Sequence, residues 1–312
     1  MNIIFMGSAA FSIPSLDALI KSSHRVIGVM TNREKPAGRG LETRPTPVAE
    51  LANRHGIDTM TPVTLRDNSE VSVWIRGHAP DAIVVVAYGK FIPPGILSMP
   101  VHGCLNLHPS LLPRYRGAAP IQRALMNGDE KTGVTVMLLD EGMDSGPIYM
   151  QEEVSIGPTD NATTLGERLS RTGAEVLLTT LSLIDQKRIE PVAQRHELAT
   201  FAPKINREEG KLDFARPSME LCNAVRGLVE WPTAWTMYRG SVVQVLDTEY
   251  VVGENAGPPG TIVKIDKVGI HVATGDGTLV IRSVRPAGGR SMDALSYANG
   301  KRIKTGEIFR AK

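Results

Sequence analysis

Three side chains in two separate motifs have the chemistry needed to act together on a carbonyl group. Asn106 and His108 lie in the stretch CLNLHPSLLPRYRG, and Asp144 lies in the stretch DEGMDSG. Side chains alternate between the two faces of a strand, so Asn106 and His108 are predicted to share one exposed face. A neutral amide and an imidazolium can hold a developing oxyanion, and a carboxylate can fix the imidazole. This combination favours acyl transfer without a covalent intermediate.

The predicted strand that carries the amide and the imidazole ends in a loop held by Pro109 and Pro113. Prolines cannot continue a regular strand on both sides, and they stiffen the segment between them. A second predicted strand, residues 134–139, ends in a glycine-bracketed loop. That loop could carry Asp144 to the carboxyl end of a neighbouring strand, where ligands bind in open α/β sheets. A lone histidine after a strand is more often structural than catalytic, but these features together favour catalysis.

The elements that must position these side chains alternate between strands and helices in the first part of the chain. The run AIVVVA at residues 82–87 is typical of a strand buried on both faces. The alternation predicts an open α/β sheet. In the last part, short strands separated by glycine-rich turns predict a small β-barrel. The predicted division is a catalytic domain over residues 1–189, a linker over 190–206 and a C-terminal barrel over 207–312.

The composition excludes several classes of protein. A chain of 312 residues with 42% hydrophobic and 22% charged residues is typical of a globular protein with two domains. It contains no apolar run long enough to span a membrane, so no membrane association is expected. Its start, MNIIFMGSAAF, predicts a strand and a turn instead of a cleavable signal. We therefore expect a cytoplasmic protein.

Familiar metal and cofactor motifs are missing from the sequence. Cys104 and Cys222 are its two cysteines, and their spacing supports neither a zinc site nor a disulfide framework. The first predicted turn, MGSAAF, lacks the glycine spacing of a dinucleotide-binding loop, and no P-loop follows a predicted strand. His196 and Glu197 lack the second histidine that a zinc peptidase needs. The sequence therefore predicts neither a metal nor a nicotinamide cofactor.

Positive charge is concentrated at the C-terminal end. The formal net charge is +2, but residues 261–312 carry ten lysines and arginines against four acids. Such residues commonly just solvate a barrel, although an excess this lopsided also suits a surface that follows a nucleic-acid backbone. Trp231 and Trp235 could stack on bases, but core packing is their expected role.

Beyond these patterns, the sequence resembles a known family in several places. NLHPSLLPRYRGAAPIQRAL and TGVTVMLLDEGMDSGPI resemble the signature segments of formyltransferases that use 10-formyltetrahydrofolate. MGSAAFSIPSLDAL is similar to the family's first β-turn-α unit, and WPTAW and PGTIV are similar to its second domain. The resemblance extends over nearly the whole chain. It implies a Rossmann-like open sheet domain followed by a smaller OB-like β-barrel.

The resemblance also implies a reaction and a role for each site residue. The formyl group of the co-substrate 10-formyltetrahydrofolate would pass to the α-amine of methionine on initiator tRNA. Asn106 and His108 would stabilise the tetrahedral intermediate. Asp144 would orient and charge His108 and help to manage the proton that leaves the amine. The implied partners are initiator Met-tRNA and the folate, and no obligate protein partner is evident.

A folate-binding segment follows from the same resemblance. It comprises Ser110, Leu111, Leu112 and Pro113, where backbone groups and apolar surface suit a flat pteridine. The tripeptide around Tyr88, which follows the apolar run, is a weaker candidate for the same pocket.

The loop at residues 31–47 resembles the insertion that enters the tRNA acceptor end in this family. Arg39, between two glycines, matches its key arginine, and Arg44 is the second candidate for tRNA binding. Family members often carry extra lysines just after this point, whereas this chain has Glu42, which would repel phosphate. We therefore expect the loop to depend on Arg39 more than on its total charge.

Three alternatives remain open at the level of sequence. A formyltransferase for an amino-sugar nucleotide would share the first domain and the three polar residues, but would not need the loop of Arg39 or the basic tail. A formyltetrahydrofolate hydrolase would pass the formyl group to water. A non-enzymatic RNA-binding protein built on the barrel would not need Asn106, His108 and Asp144.

Overall fold

The computed structural model of the chain describes residues 1–33, 35–37, 42–253 and 257–310. Its residues separate into two compact units. The first unit comprises residues 1–120, 131–155 and 166–202, and the second comprises residues 121–130, 156–165 and 203–312. Across the described ranges, no helix combines the length and the apolar character needed to cross a membrane.

Strands and helices alternate from the N-terminus to residue 185. The strands are β1 (Asn2–Gly7), β2 (Arg25–Met30), β3 (Lys35–Ala37), β4 (Glu42–Arg44), β5 (Thr59–Met60), β6 (Ala82–Val86), β7 (Cys104–His108), β8 (Lys131–Leu138) and β9 (Ile148–Ser155). The helices are α1 (Ile13–Ile20), α2 (Pro47–Arg54), α3 (Ser69–His78), α4 (Pro94–Leu97), α5 (Pro120–Met126) and α6 (Ala162–Asp185).

Seven of these strands form one sheet in the order β5-β2-β1-β6-β7-β8-β9. The strands from β5 to β7 are parallel, and β8 and β9 are antiparallel to their neighbours. All five residues of the central strand β6 are buried, as its valine-rich run predicts. The short strands β3 and β4 pair separately with each other. The predicted α/β sheet is therefore confirmed.

Local sequence explains where several helices begin. Thr46 precedes α2, and its side chain accepts a hydrogen bond from the Ala49 N–H, while Pro47 occupies the first turn. Asn68 caps α3 in the same way by accepting from the Val71 N–H. Because of these caps, both helices begin one or two residues before the first residue that shows helical apolar spacing.

The direction of β8 differs from the arrangement on which the sequence-based placement of Asp144 relies. His108 is in register with Thr135 and Leu105 with Leu138, so β8 ends beside the start of β7. The loop after β8 must therefore fold back to reach the carboxyl end of β7. The edge strand β9, which follows that loop, escapes prediction because most of its residues are exposed or half-buried and its sequence IYMQEEVS lacks clear apolar alternation.

The second unit contains a curled antiparallel sheet. Its elements are α7 (Ser218–Gly227), β10 (Trp235–Tyr238), β11 (Ser241–Val252), β12 (Ile262–Ile265), β13 (Ile270–Ala273), β14 (Gly277–Pro286), β15 (Met292–Asp293) and α8 (Ala294–Lys301). The strand order is β10-β11-β14-β13-β12, and β15 pairs with β14. This arrangement confirms the predicted second, barrel-like fold.

The core of the second unit lies between this sheet and helices α7 and α8. It is built from inward-facing aliphatic residues together with Phe214, Tyr238, Tyr297 and Phe309. Trp231 is 55% exposed, so its expected role in core packing is wrong, and Trp235 is half-buried. Trp231 lies directly before a cis-proline, Pro232. Its side chain extends into solvent at the start of this turn.

Candidate active site

The structure places His108 and Asp144 beside each other. His108 is the last residue of β7, and its Nδ1 atom lies 3.6 Å from Asp144 Oδ2. This separation is within ion-pair range but longer than a hydrogen bond. The Asp144 side chain is 18% exposed and the imidazole only 5%. A reacting group can therefore approach the pair from the Asp144 side.

The other imidazole nitrogen of His108 is held by the chain that follows it. Nε2 lies 2.9 Å from the carbonyl oxygen of Tyr115. A carbonyl oxygen only accepts hydrogen bonds, so Nε2 carries a proton in this arrangement. Nδ1 is then the nitrogen available on the Asp144 side. The predicted exposed position of His108 is wrong, because the loop that contains Tyr115 folds back over the imidazole.

Asn106 lies two residues earlier on the same strand and is half-buried. It is in register with Val85 on β6 and with Met137 on β8. Strand alternation directs its side chain to the same face of the sheet as His108. The intervening Leu107 is buried on the other face, where it approaches Gly173 of α6.

Asp144 is held in an uncommon backbone conformation. Its φ angle of +49° lies in the left-handed region, which non-glycine residues seldom adopt. One carboxylate oxygen, Oδ2, accepts a hydrogen bond of 2.8 Å from the N–H of Gly117. This bond aims the carboxylate toward His108, so the loop after Pro113 contributes to both members of the pair.

The loop that carries Asp144 has its own internal support. The Asp140 carboxylate accepts hydrogen bonds from the Gly142 N–H and from the Ser145 hydroxyl. At Gly146, a Cβ atom would lie 1.9 Å from the carbonyl oxygen of Leu138, which leaves no space for a side chain. Gly146 therefore allows the loop to turn back tightly against the end of β8.

The predicted folate-binding segment is fastened to β8 and β9. The buried Thr135 hydroxyl donates to the Ser110 carbonyl at 2.6 Å and accepts from the Leu112 N–H at 3.2 Å. Gln151 on β9 donates to the Leu112 carbonyl at 2.9 Å and to Thr135 Oγ1 at 2.8 Å. The Ser110 hydroxyl donates to the Arg114 carbonyl. These bonds leave Leu111 and Pro113 half-buried at the surface of the segment.

Tyr88 lies with its ring in the core of the first unit. It is 2% exposed, and burial raises the pKa of its hydroxyl to about 12, so the group stays neutral. Its carbonyl oxygen accepts a hydrogen bond from the Asn32 side chain at 2.8 Å. The Tyr88 side chain is thus too buried to line a ligand pocket. This tripeptide can contribute to a pocket only through its backbone and its other two residues.

The predicted tRNA-binding loop is described only in part. Arg39 lies outside the described residues, and Arg44 is exposed at the end of β4. The two ends of the loop are joined by a 2.7 Å hydrogen bond between the Thr31 and Thr46 hydroxyls. This bond closes the base of the insertion.

The basic C-terminal stretch is partly neutralised. Arg282 pairs with Asp247 and Glu249, and Lys264 pairs with Asp266. Apart from Lys264, six of its cationic side chains are exposed among the described residues: Lys267, Arg290, Lys301, Arg302, Lys304 and Arg310. The exposed set is therefore smaller than the sequence count suggests, but it remains strongly positive.

Several residues around the pair give no signal in the sequence. Thr135, Gln151 and Gln194 are ordinary polar residues without a motif, and each bonds to a loop distant in sequence. Spacing alone cannot find them, because their partners are brought close only by the sheet. Among the described residues, no three histidine, cysteine or acidic side chains gather as a metal site would require.

Comparison with known proteins identifies two matching family models. The model described as formyl transferase matches residues 1–181. The model described as formyl transferase, C-terminal domain, matches residues 204–302.

Individual relatives match over nearly the whole chain. A methionyl-tRNA formyltransferase from Alkaliphilus oremlandii is 42% identical over 99% of this chain and 99% of its own. One from a Sulfurihydrogenibium species is 41% identical over 99% of this chain and 100% of its own. Among solved structures, the N-formyltransferase from Helicobacter canadensis in complex with folinic acid and dTDP-3-aminofucose superposes with a TM-score of 0.66. That alignment covers 89% of this chain and 97% of the other at 16% identity, which indicates a shared fold.

Proposed function

The chain belongs to the formyl transferase family, and we propose that it transfers the formyl group of 10-formyltetrahydrofolate to the α-amine of methionine on initiator tRNA. The product is N-formylmethionyl-tRNA, which serves translation initiation. Relatives of 42% and 41% identity named as methionyl-tRNA formyltransferases match this chain from end to end and support the acceptor. The observation that carries the chemistry is the His108–Asp144 pair, 3.6 Å apart, at the carboxyl end of β7.

In the proposed reaction, the methionyl amine attacks the formyl carbon. The formyl oxygen takes up negative charge in the tetrahedral intermediate, and the bond from the formyl carbon to N10 of the folate then breaks. N10 gains a proton and the amine loses one, so N-formylmethionyl-tRNA and tetrahydrofolate result. The groups needed are hydrogen-bond donors for the oxygen and an acceptor for the amine proton.

Asn106 and His108 are proposed as the two donors. The amide needs no change of charge to donate, and a protonated His108 can donate from Nδ1, because Tyr115 already occupies Nε2. Asp144 lies on the same side of the imidazole. Its carboxylate is proposed to orient and charge His108 and to help manage the proton that the amine releases.

The segment Ser110–Pro113 is proposed to hold the folate. Support comes from its position directly after His108 and from the fastening of its backbone by Thr135 and Gln151. A fixed backbone with exposed apolar edges suits a flat ring that must be placed accurately. The Helicobacter canadensis protein of the same fold was solved with folinic acid.

The tRNA is proposed to contact Arg39 and Arg44 in the insertion and the exposed cations near the C-terminus. Phosphate groups bind such cations with little regard to sequence, so these residues would supply affinity more than selectivity. We keep the division into a catalytic domain at 1–189, a linker at 190–206 and a tRNA-binding domain at 207–312 as part of this proposal. A cytoplasmic location, with no metal and no obligate protein partner, completes it.

The acceptor is tested by offering the enzyme labelled 10-formyltetrahydrofolate with initiator Met-tRNA, free methionine, an amino-sugar nucleotide or water alone. We expect label only on Met-tRNA. Label on the amino sugar would favour the sugar formyltransferase, and formate release in every arm would favour the hydrolase. Binding of tRNA without any transfer would leave only the RNA-binding alternative.

A further inference from the structure

We propose that Gln194 is a positioning residue for Asp144, acting from the segment that the sequence predicts to be a linker. The inference rests on the proposed function, because it names a residue that supports the same site. The side chains around Gln194 are solvent-exposed: Val192 is 70% exposed, and Ala193, Arg195 and His196 are also exposed. Gln194 itself is 6% exposed. A buried amide within an exposed segment has been placed there by specific contacts.

The amide nitrogen of Gln194 holds the backbone of the loop that carries Asp144. Nε2 donates to the Asp144 carbonyl at 2.9 Å and to the Gly146 carbonyl at 2.7 Å. Both N–H groups of the amide are thus used on one short turn. The φ angle of Asp144 is +49°, a conformation that persists only where the surroundings enforce it. Gln194 provides that enforcement at the carbonyl of the same residue.

The amide oxygen of Gln194 holds the loop on the other side of the pair. Oε1 accepts from Arg116 Nη2 at 2.6 Å and from Arg116 Nε at 3.2 Å. Arg116 is only 6% exposed. Its neighbours Tyr115 and Gly117 supply the carbonyl that holds His108 and the N–H that holds Asp144. One side chain therefore connects the two loops that set the distance between His108 and Asp144.

Further contacts from the same segment support Arg116. The Arg116 N–H donates to the Thr200 carbonyl at 2.9 Å, and the Ala202 N–H donates to the Arg116 carbonyl at 2.7 Å. His196 Nδ1 lies 3.1 Å from Arg116 Nη2. Residues 194–202 thus hold the loop after Pro113 in place through several contacts with Arg116. Because these contacts hold Arg116 without Gln194, the substitution of Gln194 should disturb the Asp144 turn more than the fold.

Two substitutions distinguish the donor function of the Gln194 amide nitrogen from the acceptor function of its oxygen. Gln194→Glu retains an acceptor for Arg116 but replaces the donor to the Asp144 and Gly146 carbonyls with an oxygen that repels them. Gln194→Met removes both functions at nearly the same size. Gln186→Met is the matched control, since the exposed Gln186 also accepts a hydrogen bond from an arginine, Arg188.

A small displacement of a reacting group is enough to lower the rate of catalysis. We expect Gln194→Glu to lower kcat roughly 10–100-fold, while KM for both substrates changes less than about threefold. In an Asp144→Asn background the same substitution should cost less than about threefold, because the group it positions is already disabled. The substitution of a residue with a purely structural role would lower kcat by the same factor in both backgrounds.

A second readout does not depend on turnover. Amide hydrogen exchange at residues 142–147 should accelerate in Gln194→Glu but stay unchanged in Gln186→Met, with protection of β6 retained. Unchanged kcat, an equal loss in both backgrounds, or loss of protection throughout the chain would each overturn the proposal. If the wild-type enzyme transfers no formyl group to Met-tRNA, the proposed function itself fails, and that result is distinguishable because it appears before any substitution is made.

Discussion

At the scale of single residues, the site depends on how Asp144 and His108 are held. Each is fixed by a backbone group from the loop after Pro113: Gly117 donates to the carboxylate, and Tyr115 accepts from the imidazole. Hydrogen bonds of this kind restrict the two side chains to one geometry before any substrate arrives. Such preorganisation is the main means by which polar groups lower a reaction barrier.

The first prediction concerns Asp144 itself. Asp144→Asn keeps the size of the side chain but removes its charge, so it should lower kcat/KM by roughly 10²–10⁴ and leave folate binding nearly unchanged. Steady-state kinetics and folate titration measure the two effects.

Asp67→Asn serves as the control for this substitution. Asp67 is exposed and has a left-handed φ angle of +52°, so it matches the backbone conformation of Asp144. A comparable loss of rate in both variants would contradict a specific role for the Asp144 carboxylate.

At the scale of elements, antiparallel β8 and β9 hold the segment Ser110–Pro113, which is proposed to bind the folate. Thr135 is in register with both His108 on β7 and Gln151 on β9, so one threonine joins three strands to the segment. The buried Thr135 hydroxyl makes three hydrogen bonds there, and its removal would leave the Leu112 N–H and the Ser110 carbonyl without this partner.

The second prediction follows from this arrangement. Thr135→Val should lower the free energy of unfolding by about 1–3 kcal/mol and raise KM for the folate more than KM for tRNA. Denaturant unfolding and steady-state kinetics measure the two effects.

Thr132→Val is the matched control for Thr135→Val. Thr132 is buried on the same strand, and its hydroxyl has no hydrogen-bond partner among the described residues. Its replacement should be neutral or stabilising, and equal losses at both positions would contradict a special role for Thr135.

How much the sequence reveals differs between these scales. The motifs identify His108 and Asp144, and the valine-rich run identifies β6, because in both cases the information is local. The antiparallel direction of β8, the weakly patterned β9 and the bonds of Thr135 and Gln194 depend on contacts between segments far apart in the chain. The sequence of helix α8 gives little signal for a related reason: ALSYANGK has little apolar periodicity, and the helix start is fixed by Asp293, which accepts a hydrogen bond from the Ser296 N–H.

At the scale of the whole molecule, every acid whose pKa is lowered among the described residues lies in the second unit: Glu209, Asp266, Asp276, Asp293 and Glu307. Glu209 is one example: its hydrogen bond to Arg123 is the main cause, and burial opposes the shift. A lowered folded-state pKa stabilises the protein above the ordinary value near 4.5, and this stability is lost as the pH falls through the lowered value.

The third prediction is that the ion pair between Arg123 and Glu209 loses its contribution to stability in acid. Glu209→Gln should lower the free energy of unfolding by an amount on the order of 1 kcal/mol at pH 7 and reduce the loss of stability below pH 4.5. Glu208→Gln, in the same short turn, controls for the loss of one charge. An acid transition in Glu209→Gln identical to that of the wild type would contradict the role of this pair.

The fourth prediction concerns the exposed cations near the C-terminus. Lys301→Gln with Lys304→Gln should weaken tRNA binding and flatten the dependence of affinity on salt by up to about two units of slope. The control pair, Lys21→Gln with Lys187→Gln, removes equal charge from exposed positions in the first unit. Equal salt slopes in the wild type and the Lys301/Lys304 variant would exclude these lysines from the tRNA contact.

In the proposed reaction, the formyl group passes from the folate to the methionyl amine and to no other acceptor. The most direct measurement is the stoichiometry of one reaction: tetrahydrofolate formed against formylmethionine recovered after hydrolysis of the tRNA ester. The proposed function predicts a ratio of one to one with initiator Met-tRNA and no tetrahydrofolate without it. Tetrahydrofolate formed in the absence of Met-tRNA, or formed without formylmethionine, would contradict it.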